Sequence, residues 1–229
     1  MSVIGIIGGM GPESTAYTYI KMIEYCQKRY NAKFDRDFPP IIIYSLPIED
    51  IVENTENEDK ILNTLCFGVN KIKTAGATFG FVACNSMQKF IPKLRQSMQM
   101  LSIIEEVNVK MQETKIKKVG ILGTKTTMDS QLYQKAFEKN GIETVEPREQ
   151  EKITYAIMEI LAGKKSWPEE ILLGVVDELK KENIEGIILA CTDLPIVLNQ
   201  ENCGIKIFDS AKIIAEASID KYYTEKTVK

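Results

Sequence analysis

Six short, almost entirely apolar runs alternate along the chain with longer amphipathic segments. A strand that is buried on both faces, as in a parallel sheet, has this continuous rather than alternating pattern. The runs predict strands at Val3–Ile7, Ile41–Tyr44, Phe79–Ala83, Val119–Leu122, Ile187–Ala190 and Ile205–Phe208.

Between these runs, apolar residues recur at helical spacing. Alternation of strands and helices is typical of βαβ units, in which helices cover both sides of a mostly parallel sheet. The fold class predicted from the pattern is therefore α/β. The predicted helices are Ser14–Arg29, Asp59–Thr74, Met87–Met98, Thr127–Lys139, Ile153–Ala162, Pro168–Lys181 and Ala211–Tyr223.

The two halves of the chain resemble each other in three places. VIGIIG, from Val3, is echoed by KVGILG; GFVACNS, from Gly80, by IILACTD; and LSIIEE, from Leu101, by IKIFDS, from Ile205. The order is preserved and the spacing drifts only slightly, which favours a duplicated lobe over chance similarity between buried strands. We expect two pseudo-symmetric lobes with the active site in the cleft between them. The first would cover residues 1–113 and be completed by a C-terminal helix at about 209–229, and the second would cover 114–208.

Composition excludes several classes of function. The 229 residues carry a net charge of −3, so no overall positive field favours nucleic acid or an anionic membrane. The chain lacks a signal-peptide pattern and an apolar stretch of about 18 residues, which predicts a cytoplasmic protein without membrane spans. It has no histidine and no pair of cysteines at C-x-x-C spacing. These absences argue against common zinc sites and exclude any mechanism with a histidine base.

Two of the five cysteines follow echoed strands. Cys84 in ACNS and Cys191 in ACTD stand at matching points of the repeat, at the carboxyl ends of their strands. Ligands of parallel α/β sheets bind outside those ends. Either cysteine alone is best interpreted as a buried packing residue. As a pair in one cleft, they suit proton transfer at carbon or disulfide chemistry. Cys26 and Cys66 are predicted to be packing residues, and Cys203 to lie in an exposed loop.

Two loops supply further candidate residues. IIGGMGPES, residues 6–14, joins a strand to a helix and is either an anion site at a helix N-terminus or a tight turn. It matches neither a dinucleotide-binding fingerprint nor a Walker A loop. GTKTTMDSQLY, residues 123–133, occupies the equivalent point of the second half. Its Thr124, Thr126 and Thr127 would bind an anion, or Thr126 or Thr127 would cap the next helix.

Together these motifs make the chain similar to the aspartate/glutamate/hydantoin racemase superfamily, and most similar to its pyridoxal-phosphate-independent aspartate racemases. The resemblance runs from IGIIGGMGP to IFDSAKIIAE. It implies a two-lobe fold, a homodimer, no cofactor and no metal, and interconversion of L- and D-aspartate. It also implies that Cys84 and Cys191 are the acid/base pair. The substrate-binding residues that it implies are Met10, Asn85, Ser86, Thr124, Thr127 and Thr192.

The chain departs from this family's pattern at four points. The family's C-N-T-x-H is CNSMQ here, with Ser86 and Gln88, and its Cys-Thr-Glu ends in Asp193. Where the family has an arginine in P-D-R-T, this chain has Ile51 and Val52. Leu161 replaces a lysine, although Lys164 and Lys165 follow closely. Two alternatives therefore stay open: a related isomerase or a racemase of another amino acid, including a non-acidic one, and a non-catalytic module that binds small carboxylates.

Overall fold

Two sheets of four parallel strands form the centre of the protein, in a computed structural model that describes residues 2–48 and 57–227. Helices flank both sheets, so the predicted α/β fold of two similar lobes is confirmed. The strands are β1 (Ile4–Gly8), β2 (Ile41–Ser45), β3 (Phe79–Val82), β4 (Gln99–Leu101), β5 (Lys118–Gly123), β6 (Glu143–Val145), β7 (Gly186–Ala190) and β8 (Ile207–Asp209).

The helices include long amphipathic ones and several single turns. Their bounds are α1 (Pro12–Tyr30), α2 (Glu58–Thr74), α3 (Ile91–Leu94), α4 (Ile103–Gln112), α5 (Lys125–Ser130), α6 (Leu132–Glu138), α7 (Gln150–Leu161), α8 (Ser166–Lys180), α9 (Gln200–Cys203) and α10 (Ser210–Thr227). In the part of the chain that is described, none of them is both long and apolar enough to cross a membrane.

The two sheets have the same topology. The strand order is β2-β1-β3-β4 in the first and β6-β5-β7-β8 in the second, and all pairings are parallel. In each sheet the order reverses direction between the first and third strands along the chain. A crevice forms at such a switch point, outside the carboxyl ends of the strands. The sequences GGMGP and ACNS follow the two switch-point strands of one lobe, and GTKTT and ACTD those of the other.

One apolar core joins the lobes. It contains side chains of β1 and β3, such as Phe81, together with side chains of β5 and β7, such as Ile188, and of α10, such as Ile214. Helix α10 follows β8 of the second sheet but packs against α1 and α4 of the first lobe. Separate apolar clusters cover the outer face of each sheet. The shared core keeps the carboxyl ends of the two sheets in a fixed relation.

Some predicted elements are wrong in detail. The predicted helix Met87–Met98 is a 3-10 turn at Gln88–Phe90 followed by the single turn α3. Pro92 explains this, because a proline inside a helix has no N–H to donate to the carbonyl four residues earlier. The predicted helix Thr127–Lys139 is divided into α5 and α6 at Gln131, whose φ of 55° is left-handed. The edge strands β4 and β6 and the helix α4 were not predicted.

The burial of three cysteines bears on their predicted roles. Cys26 on α1 is buried and Cys66 on α2 is half-buried. Cys203 was expected in an exposed loop, but it is fully buried at the end of α9, where it packs into the outer cluster of the second lobe. Asn199 caps this short helix by accepting hydrogen bonds from the N–H groups of Glu201 and Asn202. The capped turn is compact and places the Cys203 thiol in the protein interior.

Candidate active site

A cavity of about 160 Å³ opens where the carboxyl ends of the two sheets face each other. Ligand sites for drug-sized molecules are larger, at roughly 300–1,000 Å³, so this one suits a ligand of the size of a single amino acid. Both lobes contribute to its wall. The lining residues are Gly9, Met10, Gly11, Pro12, Ile48, Cys84, Asn85, Ser86, Thr124, Leu161, Cys191, Thr192 and Asp193.

The two strand-end thiols lie in this one cavity. Cys84 and Cys191 are both 5% exposed, each just beyond the last residue of β3 or β7. Burial raises the pKa of Cys84 to about 12, although backbone N–H groups of Met87 and Ser86 partly offset it. Burial also raises the pKa of Cys191, to which the Asp193 carboxylate adds, while the backbone N–H of Asp193 opposes the shift. Each sulfur therefore has nearby donors that can stabilise a thiolate, while burial favours the protonated thiol at neutral pH.

Three hydroxyls connect the lobes beside Cys84. Ser86 Oγ lies 2.8 Å from Thr124 Oγ1 and 3.2 Å from Thr127 Oγ1. Thr124 also caps α5, because its Oγ1 accepts a hydrogen bond from the N–H of Thr127 at 3.1 Å. The expectation that Thr126 or Thr127 would be the cap is therefore wrong. Thr127 is buried but does not line the cavity, so it supports Ser86 and Thr124 from behind.

Asn85 is held by a buried network that spans both lobes. Its Nδ2 donates to Ser210 Oγ at 2.9 Å, and its Oδ1 accepts from the Tyr133 hydroxyl at 2.6 Å. Ser210 Oγ in turn donates to the carbonyl oxygen of Leu189 on β7 at 2.6 Å. An amide NH₂ group has two hydrogens, so one donor of Asn85 remains for a ligand in the cavity. The network therefore fixes the orientation of the Asn85 amide group.

The GGMGP loop forms one side of the cavity. Thr15 holds it from inside α1: its Oγ1 accepts from the N–H of Gly9 at 2.9 Å and donates to the carbonyl oxygen of Gly11 at 2.8 Å. Gly9 has a φ of 90°, and a Cβ there would lie 2.7 Å from the backbone nitrogen of Leu46. Only glycine meets both requirements. Met10 is thereby presented to the cavity, while the anion site expected at this loop has no cationic side chain.

Thr192 and Asp193 complete the wall next to Cys191. Thr192 Oγ1 donates to Ser14 Oγ at 3.3 Å. Asp193 Oδ2 accepts from the thiol of Cys191 at 3.6 Å, whereas the buried Oδ1 has no hydrogen-bond partner. Burial raises the pKa of this carboxyl group, and the nearby Ser14 hydroxyl and the Cys191 thiol partly offset that shift. Asp193 was noted in the sequence only as a departure from a pattern, although its position two residues after Cys191 already indicated the cavity.

Two apolar residues of the lining were not among the predicted site residues, although Leu161 was noted as standing where the family has a lysine. Ile48 follows β2, and Leu161 is the last residue of α7; neither belongs to a polar motif that would mark a site. The positions expected to carry the family's arginine, Ile51 and Val52, lie outside the described residues. Gln88, in place of the family's histidine, is buried and donates to the carbonyl oxygens of Cys84 and Val82. It therefore supports the end of β3 and does not line the cavity.

Within residues 2–48 and 57–227, no three Cys, Asp or Glu side chains lie close enough together to hold a metal ion. The chemistry that the cavity offers comes from two thiols, three hydroxyls, one amide and one carboxylate.

Comparisons with known proteins agree with this fold and identify the family of the chain. The profile of the Asp/Glu/hydantoin racemase family matches residues 7–218. The chain belongs to that family. It is 32% identical to the broad-specificity amino-acid racemase RacX of Bacillus subtilis over 223 residues, which are 96% of this chain and 98% of RacX. Membership of the racemase family, supported along almost the full length, makes the chain an amino-acid racemase and thus an isomerase.

Solved structures extend the family comparison to three dimensions. An aspartate racemase homologue from Pyrococcus horikoshii superposes with a TM-score of 0.80 at 34% identity, covering 97% of this chain and all of that one. An aspartate racemase from Picrophilus torridus gives a TM-score of 0.85 at 26% identity, covering 96% and 94% of the two chains. The resemblance inferred from the motifs is confirmed at the level of the racemase family.

Proposed function

We propose that this racemase interconverts the enantiomers of a free amino acid by two-base proton transfer, with Cys84 and Cys191 as the acid/base pair and without a cofactor. The observation that supports this most is the presence of both strand-end thiols in one small cavity. They come from equivalent strands of two facing sheets. A substrate between them would present its Cα–H bond to one sulfur and the opposite face of Cα to the other.

The proton balance closes with these two groups. One cysteine acts as a thiolate and removes the proton from Cα. The C–H bond breaks, and this cysteine becomes a thiol. The electron pair moves into the substrate's carboxylate. The opposite thiol then protonates the other face of Cα and is left as a thiolate. The pair ends each turnover with the same total of protons, and solvent exchange resets their positions.

The substrate's α-carboxylate would be held by neutral donors. Asn85, Ser86 and Thr124 offer such groups beside Cys84, and Thr192 offers one beside Cys191. Negative charge develops on that carboxylate as the C–H bond breaks. Donors that are already oriented by the surrounding network stabilise it without reorganisation, and such preorganised donors are the largest single contribution in many enzymes. Thr127 would hold the hydroxyls of Ser86 and Thr124 in place, and Met10 would contact the substrate as part of the cavity wall.

Deuterium exchange tests the proposed reaction. We expect the reduced protein, in D₂O without pyridoxal phosphate, to introduce deuterium at Cα of an L-amino acid while the D-enantiomer accumulates. NMR measures the exchange and chiral chromatography the inversion. Aspartate, the substrate that the resemblance implies, is included in the panel together with neutral and basic amino acids. A panel that stabilises the protein thermally but shows no exchange would support the binding-module alternative instead.

The pH dependence should follow the thiols. Burial raises the pKa of Cys84 to about 12 and raises that of Cys191, so the thiolate needed for catalysis is a minor species at neutral pH. Below its pKa, the thiolate fraction grows about tenfold for each pH unit. We therefore expect kcat/KM to rise by up to that factor per unit between about pH 6.5 and 8.5. A flat initial-rate profile over this range would contradict a thiolate base.

A further inference from the structure

We infer that the cavity selects amino acids with an uncharged, aliphatic side chain over acidic ones, with Leu161 lining the side-chain region and Asp193 holding the α-ammonium group. This inference rests on the proposed racemase function and specifies its substrate class.

Among the described residues that line the cavity, Asp193 is the one with a charged side chain, and none is a lysine or an arginine. The other polar groups are hydroxyls, thiols and an amide, which suffice for the α-carboxylate that every amino acid carries. A second carboxylate on the substrate would meet no countercharge in the described wall. Moving a charge from water onto an apolar wall without a partner is unfavourable, so this wall favours a neutral side chain over that of aspartate or glutamate.

The cations closest in sequence to Leu161 are already paired. Lys164 lies 2.5 Å from Glu159, and Lys165 forms an ion pair with Glu13 of α1. Neither lysine lines the cavity. The segment 49–56, which follows the lining residue Ile48, has the sequence EDIVENTE, with four acidic residues and no basic one. It therefore brings no countercharge for a substrate carboxylate.

The unpaired oxygen of Asp193 marks the place of the ammonium group. Its Oδ1 is buried without a partner, and the residue is 4% exposed at the cavity wall. A buried acceptor of this kind costs free energy until a donor reaches it. The ammonium group of an amino acid carries three N–H donors and one positive charge. Pairing the two groups neutralises the carboxylate, leaving the apolar side of the cavity to the substrate's side chain.

That apolar side is formed by Met10, which is buried, by Ile48, which is half-buried, and by Pro12 and Leu161, which are also exposed to solvent. Leu161 approaches the GGMGP loop closely: a Cβ placed on Gly11 would be 2.8 Å from a methyl carbon of Leu161 and 3.1 Å from Asp193 Oδ1. The apolar side and the carboxylate thus meet at the same point of the loop. An aliphatic side chain gains by removing this surface from water, whereas a carboxylate there would face Asp193.

Comparing kcat/KM between substrates that are assayed separately tests the proposed selectivity. We expect kcat/KM for L-leucine or L-methionine to exceed that for L-aspartate by about 100-fold or more, because a charge left without a partner is costly. L-lysine is included because Asp193 is the one group in the described wall that could pair with a cationic side chain. A wild-type preference for aspartate, glutamate or lysine over leucine would overturn the inference, yet would leave the proposed racemase function intact. Absence of Cα exchange with every compound would instead refute the function itself.

Two variants test whether Leu161 and Asp193 determine the substrate selectivity. Leu161→Lys adds a cation to the wall and should lower the leucine-to-aspartate ratio of kcat/KM about tenfold or more. Asp193→Asn keeps the shape and removes the charge, and should lower the ratio by a similar factor. Comparing two substrates on the same variant cancels any change in the ionisation of Cys191. A ratio that stays within about twofold of wild type in both variants would contradict the assignment.

Matched controls separate charge from shape. Leu161→Met changes the packing of the wall without adding charge, so it shows how much of the ratio depends on shape. Met158→Lys adds the same cation one turn earlier on α7, at an exposed position outside the cavity lining. We expect Met158→Lys to keep the wild-type ratio. If it shifts the ratio as strongly as Leu161→Lys, a long-range field and not the cavity wall determines selection.

Discussion

Replacing either Cys84 or Cys191 by alanine is expected to lower the rate of racemisation about 10³-fold or more, within the range that general acid–base groups contribute. Both thiols are needed because each faces a different side of Cα in the proposed reaction. The hydroxyls of Ser86, Thr124 and Thr192 are no substitute, because they are far weaker acids than a thiol. Racemisation is measured from both enantiomers by chiral chromatography.

The single variants should differ in a diagnostic way. With one thiol left, a proton can be removed and replaced on one face only, so deuterium enters one enantiomer without inversion. The two variants are expected to show this residual exchange with opposite enantiomers. Cys66→Ala is the matched control, because Cys66 is a half-buried thiol on α2 that does not line the cavity. Interconversion at near wild-type rate in Cys84→Ala or Cys191→Ala would exclude the two-thiol mechanism.

The position of the two thiols was predictable from sequence for a physical reason. A duplicated unit repeats its strand order, and parallel strands end at the same edge of a sheet, so two lobes related by a pseudo-twofold axis can turn equivalent strand ends toward one cleft. The third echo was less reliable. The sequence comparison aligned Leu101 with Ile205. In the two sheets, however, Leu101 and Phe208 occupy equivalent positions, with the same difference in residue number as Cys84 and Cys191. Short strands carry too few residues to fix their register by sequence alone.

The features that were missed depend on contacts between distant segments. Strands β4 and β6 have only three residues each and lie at sheet edges, with one hydrogen-bonded neighbour. Their pairing comes from that neighbour and not from an apolar run of their own. Leu161 was noted only as a departure from the family pattern, and it reaches the cavity because α7 packs against α8 and β5 of the second sheet. The unpaired oxygen of Asp193 is likewise visible only when every surrounding donor has been located.

Gly80→Ala is expected to destabilise the protein by about 3 kcal/mol, at the upper end of the cost of overpacking a core. Gly80 of β3 pairs with Gly5 of β1 at the centre of the first sheet. A Cβ on Gly80 would lie 2.3 Å from the carbonyl oxygen of Gly5 and 2.9 Å from its carbonyl carbon. These are backbone atoms of a buried strand, so no side-chain rotation relieves the clash. β1 and β3 would have to separate, and β3 is the strand that ends at Cys84.

Thermal unfolding measures this effect, with an expected decrease in Tm of about 6–12 °C for a chain of this size. Gly174→Ala is the matched control, because Gly174 lies within α8 and a Cβ there meets nothing within 4 Å. Alanine has the higher helix propensity, so this variant should gain about 0.5–1 kcal/mol. Equal changes in the two variants would show that backbone entropy, not the contact with Gly5, determines the response. Loss of stability in Gly80→Ala alone would identify the close approach of β1 and β3 as a requirement for the sheet edge that carries the first thiol.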